Sequence, residues 1–225
     1  MKSKDVHLQM YKTEIIEVQL QRLTIELLQI TNVDELFEAL LARAADDVQV
    51  QDEQIPYWAE LWPSAIVMSE YLLRNNLVSH GLNVLEIGCG LGLPGIVAGK
   101  LGAAVTMTDY LQEAVDFAQK NWNLNNNKPA VFQTLDWREP DKTLAADLLL
   151  ASDVAYEARL YKHLPHAFRT LCKPKGKIIL AEPNRPFAAD FLDSLSKEGF
   201  FVRKEIQHFE FRGQANVINI LEITA

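Results

Sequence analysis

The sequence predicts an α/β fold: a Rossmann-like, mostly parallel seven-stranded sheet with helices on both faces, a terminal antiparallel hairpin, and an N-terminal hairpin and helix ahead of it. Three observations carry this reading. From Leu82 onward strand-like and helix-like segments alternate, the pattern of a parallel sheet built from crossover units. Strands such as DLLLA are almost wholly apolar, as strands covered on both faces must be. The last two strand-like runs, FFVRKEIQHFEF and ANVINILEIT, have no helix between them and so must pair antiparallel.

Taken in order, residues 13 to 30 alternate apolar and polar through Ile16, Val18, Leu20 and then Leu23, Ile25, Leu27, which favours a β-hairpin. Thr31 and Asn32 offer an N-cap to an amphipathic helix whose stripe is Leu36, Leu40 and Leu41. A polar loop then turns aromatic around Tyr57, Trp58 and Trp62. Pro63 suits the first position of a helix that buries Ala65, Met68 and Leu72 and ends near Asn75 and Asn76. Five strands follow at LNVLEIG, AAVTMTD, AVFQTLD, ADLLLASDV and GKIILAEP. Helices are expected at PGIVAGKL, LQEAVDFAQKNW, Pro165 to Cys172 and FAADFLDSLSKEG. With 225 residues, 48% of them hydrophobic, the chain suits one domain over residues 56–225 and an extension over 1–55.

Composition excludes several function classes. A net charge of -8, with no lysine or arginine run longer than a pair, leaves no footprint for a phosphate backbone, so nucleic acid is not an expected partner. Cys89 and Cys172 are too few for a disulfide framework and lack metal-binding spacing; the five histidines show no metal-like grouping either. A cytoplasmic home is expected. The N-terminus lacks the apolar core of a signal peptide, and no segment approaches the roughly 20 apolar residues that span a bilayer.

The chemistry is concentrated in VLEIGCGLGLPG, Val84 to Gly95. A glycine-rich turn between strand and helix brings the backbone close to a ligand and points helix N-terminal amides at it. Gly90, Gly92 and Gly95 satisfy GxGxxG, and Asp109 ends the next strand, where it can accept hydrogen bonds from ribose hydroxyls. That much is compatible with a nicotinamide dinucleotide or with S-adenosylmethionine. Glu86, two residues before Gly88, adds a carboxylate that can organise the loop and engage the cationic methionine end of the latter; NAD needs none. Asp136 and Trp137 end the third strand, suited to an adenine amino group and to stacking on its ring. ASDVAYE ends the fourth strand, and Asp153 and Tyr156 should face the region where a substrate meets the cofactor.

Together, LWPSA, LEIGCGLGLPGI, VTMTDY, LDW and SDVAY resemble, in order and spacing, the class I seven-β-strand protein lysine methyltransferases with their DxxY motif, over about residues 56 to 225. The resemblance implies S-adenosylmethionine as cofactor. It assigns Trp62 to the upper wall of its site, Glu86, Gly88, Gly90 and Gly92 to the methionine-side loop, and Asp109 to the ribose. Asp136, Trp137 and Ala151 would line the adenine side and the floor. Asp153 and Tyr156 would be the catalytic pair, orienting the acceptor while water removes its proton. Tyr57, Trp58 and Trp62 with Glu60 either wall a channel for an aliphatic ammonium or form a lid. The expected substrate is a protein lysine. The alternatives are a small amine as acceptor, or a module that binds the cofactor without transferring the methyl group.

Overall fold

The computed structural model describes residues 11–42, 56–154, 158–185 and 188–224. The N-terminal hairpin is β1 (Thr13–Leu20) paired antiparallel with β2 (Leu23–Ile30). Helix α1 (Val33–Leu41) follows, then a short 3-10 turn, Pro56–Ala59, and α2 (Pro63–Asn75). The alternating part comprises β3 (Asn83–Ile87), α3 (Leu93–Lys100), β4 (Ala104–Asp109), α4 (Gln112–Asn125), β5 (Val131–Thr134) and β6 (Ala146–Ser152). It continues through α5 (Leu164–Leu171), β7 (Cys172–Glu182) and α6 (Ala188–Lys197), and closes with the hairpin of β8 (Phe201–Phe211) and β9 (Gln214–Thr224). Among the described residues no helix is long and apolar enough to cross a membrane.

The main sheet has seven strands in the order β5-β4-β3-β6-β7-β9-β8. Pairings from β5 to β7 are parallel, while β9 runs antiparallel to both β7 and β8. The chain builds outward from β3 to β4 and β5, then returns to lay β6 on the other side of β3. The carboxyl ends of β3 and β6 therefore flank the point where strand order reverses, the crevice in which open α/β sheets place ligands.

One apolar cluster, on the face covered by α2, α3 and α4, also takes in Val18, Leu20, Ile25, Leu27 and Ile30 from the N-terminal hairpin. Fully buried Met68 and Leu72 of α2 contribute about 1.5–3 kcal/mol each to this core. On the opposite face α5 and α6 pack Phe168, Leu171, Phe191 and Leu195 against Leu149, Ile178 and Leu180. Polar side chains bind the hairpin to the same body. Fully buried Asn121 of α4 accepts from Leu28 N–H at 2.7 Å and donates to the carbonyls of Leu28 and Leu91, while Asn125 completes the same edge through Glu26. Two side-chain amides thus stand in for a neighbouring strand along β2.

Three local expectations are revised. Asn32 does not cap α1 with its side chain, because its Oδ1 accepts from Lys12 N–H at 2.9 Å. The stripe on α1 is not a buried face: Leu41 is exposed, and only Leu36 packs at the margin of the core. Ala65 is half-buried, unlike Met68 and Leu72, whereas the C-terminus of α2 falls where expected, with Asn76 in the left-handed region at φ 50°.

Candidate active site at the carboxyl ends of β3, β4 and β6

The turn after β3 is shaped by glycines at positive φ: Gly88 at 59°, Gly90 at 50° and Gly92 at 81°. Side chains are excluded here twice over. A Cβ on Gly88 would lie 2.7 Å from Val154 Cγ1, and one on Gly90 would lie 3.2 Å from the Trp58 carbonyl oxygen. The turn is pressed between the loop after β6 and the aromatic segment before α2, and only bare backbone fits.

Two carboxyl groups hold this turn. Asp109, at the end of β4, accepts from Gly90 N–H at 3.0 Å and from Leu111 N–H at 3.2 Å. Burial raises its pKa, opposed by the N–H groups of Gly90, Leu111 and Tyr110. Glu86, on β3 and fully buried, accepts Gly95 N–H at 3.0 Å. Burial, with a smaller contribution from the nearby Asp109, pushes its pKa up to about 8, outweighing that bond. Glu86 Oε1 is buried without a partner. At neutral pH the group is therefore largely a carboxylic acid. Its observed contact is with the first turn of α3, which makes it an organiser of the glycine turn; the sequence had also allowed it a cation to engage.

Asp136, after β5, is clasped by Arg138: Nε lies 2.8 and 2.9 Å from its two oxygens, Nη2 donates at 2.7 Å, and the Arg138 N–H at 2.9 Å. Burial opposes its ionisation, yet these bonds prevail and keep its pKa below the ordinary value. The Arg138 guanidinium also lies over the Tyr110 ring, 5.1 Å from its centroid. Sequence reasoning missed Arg138, although a two-residue spacing after an acidic turn residue was the available signal. Trp137 is buried within the apolar cluster that also holds Leu135 and Ala146, and Ala151 is fully buried in β6.

The aromatic segment divides. Trp62 donates its indole N–H to the Tyr57 carbonyl at 2.7 Å and meets the Tyr57 ring edge-on at 5.9 Å. Trp58 instead packs with Phe117 of α4, 5.4 Å between centroids, and with Tyr11, 5.9 Å. The three rings are thus two groups, one partly open to solvent and one anchored to α4, rather than one cluster.

Asp153 follows β6 with φ 53°, a left-handed conformation that is uncommon for a residue with a side chain and clusters at functional sites. Its N–H is held by the Ala181 carbonyl at 2.8 Å. Its carboxylate accepts from Arg185 Nη2 at 2.8 Å. Burial pushes its pKa up to about 6; Arg185 pulls downward and Glu182 upward. Tyr156 lies outside the described residues. Arg185 was also missed, because NRPF after β7 reads as an ordinary turn.

With Ile87 paired to Ala151, the glycine turn and Asp153 leave adjacent strands side by side. A profile of the lysine methyltransferase family matches residues 45–198 of this chain. The chain belongs to the lysine methyltransferase family. Among curated relatives it is 38% identical over 109 residues to histone-arginine methyltransferase METTL23 of Rattus norvegicus, covering 46% of this chain and 48% of that protein. It is 33% identical over 180 residues to protein-lysine methyltransferase METTL21E of Bos taurus, covering 74% of this chain and 58% of that protein. The chain thus spans about half the length of these relatives. Among solved structures, magnesium protoporphyrin IX methyltransferase from Synechocystis, determined with bound SAM, aligns at TM-score 0.59 and 18% identity, covering 85% of this chain and 91% of that one. At this identity the likeness is one of fold.

Proposed function

We propose that this chain is an S-adenosylmethionine-dependent protein lysine N-methyltransferase. The observation that carries the reading is the side-by-side exit of the glycine turn and of Asp153 from β3 and β6, which joins a nucleoside-type turn to an acidic acceptor site. Family membership and the relatives named for protein lysine or arginine substrates support a protein acceptor. We assign residues 56–225 to the transfer domain and 1–55 to an extension, and a soluble, cytoplasmic setting fits the composition.

The residues fit the cofactor. The turn at Gly88, Gly90 and Gly92 is bare backbone at positive φ with side chains excluded by Val154 and the Trp58 carbonyl, and Glu86 Oε1 is a buried polar atom without a partner beside it. Asp109, tied by one bond on each oxygen, retains lone pairs for a ribose diol. Asp136, Trp137 and Trp62 complete the proposed enclosure, with fully buried Ala151 in the strand that supports it. When bound, S-adenosylmethionine supplies an electrophilic methyl group on a sulfonium.

The chain's own residues then position the acceptor, and positioning is their main contribution to a displacement of this kind. A lysine amine has a reference pKa near 10.4 and must lose a proton before it can attack. Asp153 accepts a hydrogen bond from that amine and orients its lone pair, Tyr156 assists, and water carries the proton away. Asp153 is not a strong base: a carboxylate with a pKa of about 6 holds a proton too weakly to draw one fully from an ammonium.

The test is incubation of the full chain with methyl-labelled S-adenosylmethionine and a cell lysate, followed by complete hydrolysis of the labelled material. Methyl-lysine is the expected product. Methyl-arginine or methyl-histidine would keep the class and change the acceptor, and label confined to small amines would overturn the protein substrate.

A further inference from the structure

The ends of β7 and β9 carry a buried polar network that the reaction above does not use. Glu182, buried at the end of β7, accepts from the Arg185 N–H at 3.1 Å through Oε2, and its Oε1 accepts from Asn219 Nδ2. Asn219, fully buried in β9, also donates to Asn184 Oδ1 at 3.0 Å, and Asn184 sits in the left-handed region at φ 50°. A strand interior, a strand end and a strained loop residue are thus tied together immediately before Arg185. So fixed, the loop aims the Arg185 side chain across from the end of β7 to the end of β6, where Nη2 meets Asp153 at 2.8 Å. Nη1 is buried without a partner. Among the described residues, the charged and titratable groups facing Asp153 are Arg185 and Glu182 from the β7 end, and Tyr161, whose own pKa is raised by burial and by the Glu182 and Asp153 carboxyls.

We propose that Arg185 is a positioning residue of the acceptor site: its guanidinium clamps the Asp153 carboxylate and offsets its negative charge. The proposal rests on Asp153 lying in the acceptor site. The offset matters chemically. An unaccompanied carboxylate beside a lysine holds the amine as ammonium, which has no lone pair for the methyl group, whereas a carboxylate already paired with a guanidinium accepts a hydrogen bond while exerting a smaller net field. The same pair keeps Asp153 ionised in surroundings that otherwise favour its neutral form. With one Asp153 oxygen engaged by Nη2, the other is the acceptor left for the amine.

The test is a carboxyl carbon NMR titration of the Asp153 side chain in the full chain, with the resonance assigned through Asp153→Asn. Wild type, Arg185→Gln and Arg185→Lys are compared. Arg185→Gln should move the midpoint upward by about one unit or more, and Arg185→Lys, which keeps the charge, should restore most of the shift. The acid limb of the pH profile of kcat/KM should move with the midpoint. An unchanged midpoint in Arg185→Gln, or one that lysine does not restore, overturns the clamp. Because the titration needs no turnover, a chain that fails to methylate any protein would sink the proposed function while leaving the Arg185 result readable.

Discussion

The Gly95 N–H donates to Glu86 Oε2 at 3.0 Å, joining the first turn of α3 to a carboxyl group that has no solvent exposure. The contact is tight on the other side too. A Cβ at Gly95 would lie 2.5 Å from both Glu86 Oε2 and Met107 Cε, so Gly95 is required here by close approach and not by backbone conformation. Gly95→Ala should cost about 1–3 kcal/mol by overpacking. Chemical denaturation would show this as a lower midpoint at unchanged slope.

Glu86 carries a second prediction. Its folded pKa, raised to about 8 by burial, lies above the ordinary value of 4.5, so its contribution to stability is present below 4.5 and lost as pH rises through 8. Glu86→Gln keeps an oxygen for Gly95 and removes the ionisation. Relative to wild type, the variant should gain thermal stability as pH is raised from about 5 to about 9. Paired melting curves across that range check it, and a constant difference would contradict the burial argument.

Asn121 couples the N-terminal hairpin to α4 and to the carbonyl of Leu91 in the glycine turn. Asn121→Leu removes the partners of three backbone groups at once, and at about 1–3 kcal/mol for each group left buried and unpaired it should lower stability by several kcal/mol. Amide hydrogen exchange should rise first at Leu28 of β2, since that edge loses one of its two side-chain substitutes for a strand and keeps only Asn125 at Glu26.

For Asp153, the folded pKa of about 6 exceeds 3.8, so ionising it costs stability as pH rises through 6, while the proposed reaction needs the ionised form. kcat/KM should therefore fall as pH drops through about 6. Asp153→Asn should lower kcat at least about tenfold, by loss of acceptor orientation, and abolish that limb. Binding of S-adenosylhomocysteine by this variant, measured by calorimetry, should stay within about twofold of wild type, since Asp153 lies on the acceptor side.

How much of this was legible in the sequence follows from whether the signal was local. The alternation of strand-like and helix-like segments from Leu82 onward and the apolar run of β6 are local signals of a parallel sheet, and the helix-free pair at the end is a local signal of an antiparallel hairpin; the order of the strands is not in them. The positions of Glu86, Asp109 and the glycines were legible for the same reason: each sits at a strand end defined by its own neighbours. Arg185 and Arg138 were not. Arg185 acquires its partner only because Ser152 registers against Ala181, which brings two loops that are 32 residues apart in the chain into contact. Arg138 meets Asp136 through a local turn conformation that side-chain type alone does not specify. Trp58 and Trp62, adjacent in any sequence reading, part company because the 3-10 turn at Pro56–Ala59 sends one toward α4 and leaves the other beside Tyr57.

The claim at the centre of the account is that the turn after β3, held by Asp109, receives S-adenosylmethionine. It is tested most directly by calorimetric titration of the full chain with S-adenosylhomocysteine, with NAD as control, in wild type and Asp109→Ala. Loss of the carboxylate removes the acceptor of both the Gly90 and Leu111 N–H groups and the proposed ribose contact. We expect wild type to bind S-adenosylhomocysteine at about micromolar affinity, the variant to lose about tenfold or more, and neither to bind NAD. Binding of NAD without binding of S-adenosylhomocysteine would contradict the account.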